Sequence, residues 1–111
     1  MIFCLYQFKA TKSNVKNIED ILKSVIQSIR FRPGCVSSDI WHNRPGTGLL
    51  LLVEEWESVD HLREHFVSPA YRKILVAMEL CTEKPLVRFI KADEMENLGW
   101  LERILIDENT G

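Results

Sequence analysis

Two histidines four residues apart, in His61-Leu62-Arg63-Glu64-His65, have a spacing that could do chemistry. Histidines at i and i+4 share a helix face and can hold a metal. The string also matches the H-x-x-E-H pattern of one class of zinc proteases. That chemistry needs a third ligand from a distant helix in a large fold, and a chain of 111 residues is too short to supply it. A histidine can also act singly as an acid or base, because its ordinary pKa is about 6.5. Cys4, Cys35 and Cys81 are widely spaced and odd in number. They fit neither a disulfide framework nor a paired-cysteine zinc site, and read as reduced thiols of a cytoplasmic protein. Nothing in the sequence sets a base or a helix start beside them to activate one. No glycine-rich dinucleotide loop is present and no third ligand joins His61 and His65, so no dinucleotide cofactor or metal is expected.

The elements that must position these residues follow from periodicity and punctuation. Ile2 to Phe8 is short, β-branched and aromatic, which predicts a strand. Val15, Ile18, Leu22, Val25 and Ile29 recur at three- and four-residue spacing, which predicts an amphipathic helix stopped by Pro33-Gly34. Cys35 to His42 reads as a second strand, Asn43-Arg44-Pro45-Gly46 as a turn, and Leu49 to Trp56 as the most apolar strand. Ser58 caps a short helix carrying Val59, Leu62 and Phe66. On that stripe His65 falls at the edge. Ser68-Pro69 restarts a helix, with serine as N-cap and proline at the first helical position. Its inner face carries Tyr71, Ile74, Leu75 and Met78. Leu86 to Ile90 is a last strand. Asp93 with Glu96 marks the start of a final helix, with Met95, Leu98, Leu101 and Leu105 along one side.

The order is β-α-β-β-α-α-β and a helical tail. It predicts an α+β, ferredoxin-like, four-stranded antiparallel sheet with helices on one face. Leucines on both faces of Leu49 to Val53 call for cover on the second face too. A second copy of the same sheet supplies it, so a homodimer is expected.

Composition narrows the partners. Hydrophobic residues are 46% and charged residues 27%, an ordinary globular mixture. Lysine plus arginine is 14 against 16 acidic residues, a net charge of −2, so no basic excess favours nucleic acid. The longest uncharged apolar run, Leu49 to Val53, is far short of the roughly 20 residues of a membrane span, so no membrane association is expected. Met1 to Phe8 reads as a strand rather than a signal peptide.

Pro33-Gly34-Cys35, Glu54-Glu55-Trp56-Glu57-Ser58 and Leu62-Arg63-Glu64-His65-Phe66-Val67-Ser68-Pro69, in this order and spacing, resemble the antibiotic biosynthesis monooxygenase family, which includes the quinol monooxygenases. The likeness covers roughly residues 1–91, leaving 92–111 as a C-terminal helical extension. It implies a dimeric α+β barrel with a pocket in each subunit between sheet and helices. It also implies oxidation of a small aromatic or quinol-like substrate by O2 without flavin, haem or metal. Fold likeness does not by itself give a reaction.

On that resemblance the catalytic candidates are His65, as a base toward a phenol or hydroquinone, and Tyr71, whose hydroxyl can bind a substrate carbonyl. Trp56 is placed to wall the pocket and stack on an aromatic ring. Each has a plain structural alternative: a locally paired histidine, a buried tyrosine with a backbone partner, a core tryptophan. Gln7, polar among apolar neighbours, is either pocket-facing or solvent-facing. Quinone-forming relatives carry an asparagine four residues before the tryptophan and a tyrosine six after it. Leu52 and Leu62 stand there, so these pocket positions can neither hold a substrate oxygen nor relay a proton. Haem-degrading relatives need an axial histidine after the serine restart, and residues 69–81 hold none. Two readings follow: a cofactor-independent monooxygenase, or a non-catalytic, ligand-binding or stress-related dimeric module of the same fold.

Overall fold

A computed structural model describes residues 1–44, 46–92 and 98–110. Its elements are β1 (Ile2–Lys9), α1 (Lys12–Ile29), β2 (Cys35–His42), β3 (Leu49–Trp56), α2 (Val59–Phe66), α3 (Pro69–Glu79), β4 (Leu86–Lys91) and α4 (Leu98–Thr110). The strands form one antiparallel sheet in the order β2-β3-β1-β4. This is the ferredoxin-like α+β arrangement that the element order predicts. The expected helix start at Asp93, with Met95 and Glu96, lies outside the described residues. No helix among the described residues is long and apolar enough to cross a membrane.

Alternation along the two central strands decides what each sheet face holds. Ile2, Cys4, Tyr6 and Phe8 of β1 point to the helices and are buried, as do Leu50, Leu52, Glu54 and Trp56 of β3. They meet Ile18, Leu22, Val25 and Ile29 of α1 and Ile74 and Ala77 of α3 in one core. On the other face Phe3, Leu5, Leu49, Leu51 and Val53 are only half-buried, and Leu86, Ile90 and Trp41 are exposed.

Local chemistry fixes where α2 and α3 begin. The Ser58 hydroxyl accepts from the His61 backbone N–H and lies 2.7 Å from His61 Nδ1. Ser68 accepts from the Tyr71 backbone N–H, and its hydroxyl donates to the His65 carbonyl at 2.6 Å. The serine-proline restart thus holds the last turn of α2, and His65 with it. Gly34 takes φ 83°, and a Cβ there would collide with the His61 ring. Its carbonyl accepts from the Glu57 N–H at 2.8 Å. The turn after α1 is therefore clamped to the start of α2, and only glycine meets both demands.

Candidate functional site

The sequence expectation that His65 falls at the edge of the α2 stripe is overturned. His65 is wholly buried, together with Leu62, whereas Phe66 and Val59 are each 36% exposed. The helix is turned so that the flat imidazole, not the phenyl ring, meets the sheet. Trp56 supplies the reason. Its indole stacks on the His65 ring with centroids 4.5 Å apart and planes 26° from parallel. Phe66 turns instead toward Tyr71 (4.9 Å) and Phe89 (5.7 Å).

Beneath the imidazole lies Glu54, also fully buried. It shares its strand face with Leu50, Leu52 and Trp56. The sheet register sets it in one row with Ser38 of β2, Cys4 of β1 and, next to Cys4, Phe89 of β4. Glu54 Oε2 is 3.2 Å from His65 Nε2, while Trp56 Nε1–H donates to Glu54 Oε1 at 3.4 Å. The His65–Glu54 contact has ion-pair distance but not the alignment of a hydrogen bond. Glu54 Oε2, both His65 ring nitrogens and the Ser38 hydroxyl therefore remain without hydrogen-bond partners. Two of these four atoms, Glu54 Oε2 and His65 Nε2, face each other at 3.2 Å, and unsatisfied polar atoms at such depth are costly.

Tyr71 closes the cluster edge-on to His65 at 5.2 Å, and the Tyr6 hydroxyl donates to the Tyr71 hydroxyl at 3.3 Å. Burial, then the Glu54 charge, pushes the Cys4 thiol up to about 12, partly opposed by Tyr6. The same two causes push the Tyr6 phenol far above its ordinary range, and burial raises Tyr71 as well. Cys4 is thus a protonated, inert thiol at neutral pH, and both tyrosines are neutral donors. Phe66 of α2 packs edge-on against Phe89 of β4, which is 50% exposed. The arrangement is an imidazole and a carboxylate closed in by stacked and edge-to-face aromatic rings. No lysine or arginine is buried among the described residues.

The structure therefore brings His65, Trp56 and Tyr71 together. Leu52 and Leu62 are core side chains of the same layer. Gln7 is exposed on the opposite sheet face, away from this cluster, where it lines a groove of about 330 Å³ with Trp41, His42, Asn43 and Leu49 to Leu51. His61 is half-buried, engaged by Ser58 and packed on Gly34, so it does not share the interior with His65. Among the described residues no three histidine, cysteine, aspartate or glutamate side chains gather as a metal site. Sequence reasoning missed Glu54, Tyr6, Phe66 and Phe89. Only Glu54 left a local signal: a carboxylate in phase with Leu50, Leu52 and Trp56.

A family profile for antibiotic biosynthesis monooxygenases matches residues 1–76. Among solved structures, the Rv0793 protein of Mycobacterium tuberculosis is 25% identical with a TM-score of 0.77, covering 86% of this chain and 98% of that one. A Deinococcus radiodurans protein classed with the antibiotic biosynthesis monooxygenases is 19% identical with a TM-score of 0.77, covering 88% and 98%. A conserved protein of Methanosarcina mazei is 17% identical with a TM-score of 0.75, covering 83% and 92%. No curated protein matches the chain.

Proposed function

Since the chain belongs to the antibiotic biosynthesis monooxygenase family, we propose that it oxidises a small aromatic or quinol-like substrate with O2, without a cofactor, using His65 as the base. The observation that supports this reading is the buried imidazole, stacked on Trp56, with Nε2 against the Glu54 carboxylate and Nδ1 making no hydrogen bond. A phenol that displaces the Phe66–Phe89 contact stacks on aromatic walls and gives its hydroxyl proton to His65. Tyr71, kept neutral by its burial, serves as a donor to a second substrate oxygen.

The phenolate gives electrons to O2 more readily than the phenol does. One electron passes, and the radical pair forms a C–O bond at a ring carbon, giving a peroxide that takes back the proton held by His65. Loss of that carbon's proton as the O–O bond breaks leaves a carbonyl, and the departing hydroxide takes that proton to become water. One oxygen atom ends in the quinone and the other in water, and the substrate supplies all four electrons. The protein contributes deprotonation, orientation and exclusion of water.

The half-buried apolar sheet face supports a second part of the proposal: a homodimer packed through Phe3, Leu5, Leu51, Val53 and their neighbours. Residues 1–91 are read as the oxygenase unit and 92–111 as an extension to it. Leu101, Leu105 and Ile106 leave the extension's helix with an exposed apolar side.

Oxygen uptake with a reduced naphthoquinone or a naphthol tests the activity. His65→Ala should lower turnover at least about tenfold, since a positioned base contributes roughly 10² to 10⁴. His61→Ala should matter much less. The buried Leu52 and Leu62, which offer a substrate no polar group, favour the second reading, a ligand-binding module. Tight binding of the aromatic with no oxygen uptake would establish that reading instead.

A further inference from the structure

The oxygenase reading gives His65 a task but leaves Glu54 unexplained. A carboxylate buried among Leu50, Leu52 and Trp56 is costly unless it is paired, and no buried lysine or arginine among the described residues pairs it. Two contacts hold it. The Trp56 N–H binds Oε1 and so fixes the rotation of the carboxylate. Its other oxygen, Oε2, faces His65 Nε2 at 3.2 Å. Trp56 at the same time fixes the plane of the imidazole by stacking on it. One indole therefore sets both partners.

We propose that Glu54 is the positioning residue for His65: its carboxylate keeps the imidazole proton on Nε2 and leaves the Nδ1 lone pair free for the substrate hydroxyl. This rests on the reading of His65 as the base. Which imidazole nitrogen carries the proton is set by the partners of the two, and here Nε2 lies 3.2 Å from a carboxylate oxygen while Nδ1 makes no hydrogen bond. In the step itself the substrate O–H bond breaks and an Nδ1–H bond forms. The electron pair stays on the phenolate oxygen, and the new imidazolium charge lies against Glu54. With Oε1 bound by the Trp56 N–H and no lysine or arginine buried among the described residues, Oε2 is left to His65.

The ring nitrogens of ¹⁵N-histidine-labelled protein, observed by NMR at about pH 8, test the pairing without any substrate. The expected spectrum shows His65 with Nε2 protonated and Nδ1 bare. A proton on Nδ1 in the wild-type protein would overturn the proposal whether or not any variant folds. Glu54→Gln keeps the shape and removes the charge. It should shift His65 toward a tautomer mixture and lower kcat about tenfold or more, with KM nearly unchanged. Glu54→Asp, which retains the anion, should recover part of that loss. An unchanged tautomer in Glu54→Gln, or a loss confined to KM, would also overturn it. If the wild-type protein turns over no phenol or quinol, the oxygenase reading fails. The tautomer measurement then decides the Glu54 pairing by itself.

Discussion

On the helix side of the sheet, Glu54 and His65 are withdrawn entirely from water. On the opposite side, Leu86 and Ile90 stand 47% and 48% exposed and Trp41 60%. The same strands make both faces, and each departs from polar-out, apolar-in packing in its own direction. The closed face carries titratable groups at a depth where their hydrogen bonds are missing. The open face carries apolar surface that water must wet. A lone exposed leucine is ordinary, but a sheet face of them asks for a covering surface. The unmet demands differ in scale as well. The closed face lacks a few polar atoms, which a small molecule can supply. The open face lacks apolar cover over a wide area, which a second protein surface can supply.

The strongest way to break the closed face is Trp56→Ala. Trp56 is 1% exposed, stacks on His65 and donates to Glu54, so its removal opens a cavity and frees both polar partners. Tryptophan-to-alanine changes in a core cost about 3–5 kcal/mol, and urea unfolding should show a loss in that range. A loss below about 1 kcal/mol would mean that the indole is not what organises the pair.

Leu51→Asp is the corresponding strike at the open face. Leu51 is half-buried between Gln7 of β1 and Trp41 of β2, on the side away from the core. The subunit fold should survive, because a charge there stays in water. A dimer built on this face should weaken at least about 100-fold, or roughly 2.7 kcal/mol, because an unpaired carboxylate would enter its interface. Sedimentation velocity reads both results. A wild-type protein that stays monomeric at micromolar concentration would show that the open face is not covered by a second copy.

The closed face should also announce itself at high pH. The Cys4 thiol is pushed from its ordinary 9.0 up to about 12 in the fold. A raised folded-state pKa gives stability that is complete below the unfolded value and is lost as pH rises toward the folded one. Between about pH 9 and 12 the unfolded chain releases this proton and the folded chain keeps it. Stability should therefore fall by about 1.4 kcal/mol per pH unit from Cys4 alone. Tyr6 and Tyr71, both raised, add to the same alkaline loss. Cys4→Ala should flatten the slope by about one proton in that window, read from urea midpoints across the pH series. An unchanged slope would place Cys4 in contact with water.

Much of this was legible before any coordinates. Ser58 and Ser68-Pro69 mark two helix starts with their own side chains, and the structure begins α2 and α3 there. The leucines of Leu49 to Val53 fall on both faces of the sheet. Rotation of an eight-residue helix was not legible. Val59, Leu62 and Phe66 suggested one inner face, yet the helix turns to stack His65 on an indole supplied by another element. A short helix has too few apolar positions to fix its own rotation, so the surface below decides it. Tyr6, Tyr71 and Phe89 meet only through the β1–β4 register and the α3 packing. Nothing local encodes that meeting. Glu54 was readable in principle from its phase with Leu52 and Trp56.

The smallest expected effect tests which face holds the chemistry. Tyr6 and Gln7 are adjacent in β1, yet Tyr6 is fully buried beside Tyr71 while Gln7 is exposed on the far side. Strand alternation requires that separation, but when both faces are apolar it does not say which one carries the site. If the site lies around His65, Gln7→Ala should leave kcat and KM within about twofold and stability within about 0.5 kcal/mol, as for an ordinary surface change. Steady-state oxygen uptake and urea unfolding on one preparation measure both. A fall in turnover as large as that of His65→Ala would move the reacting atoms across the sheet. The groove of Gln7, Trp41 and Leu51 would then be the place to look for substrate, and the Glu54–His65 pair would be a structural feature of the core.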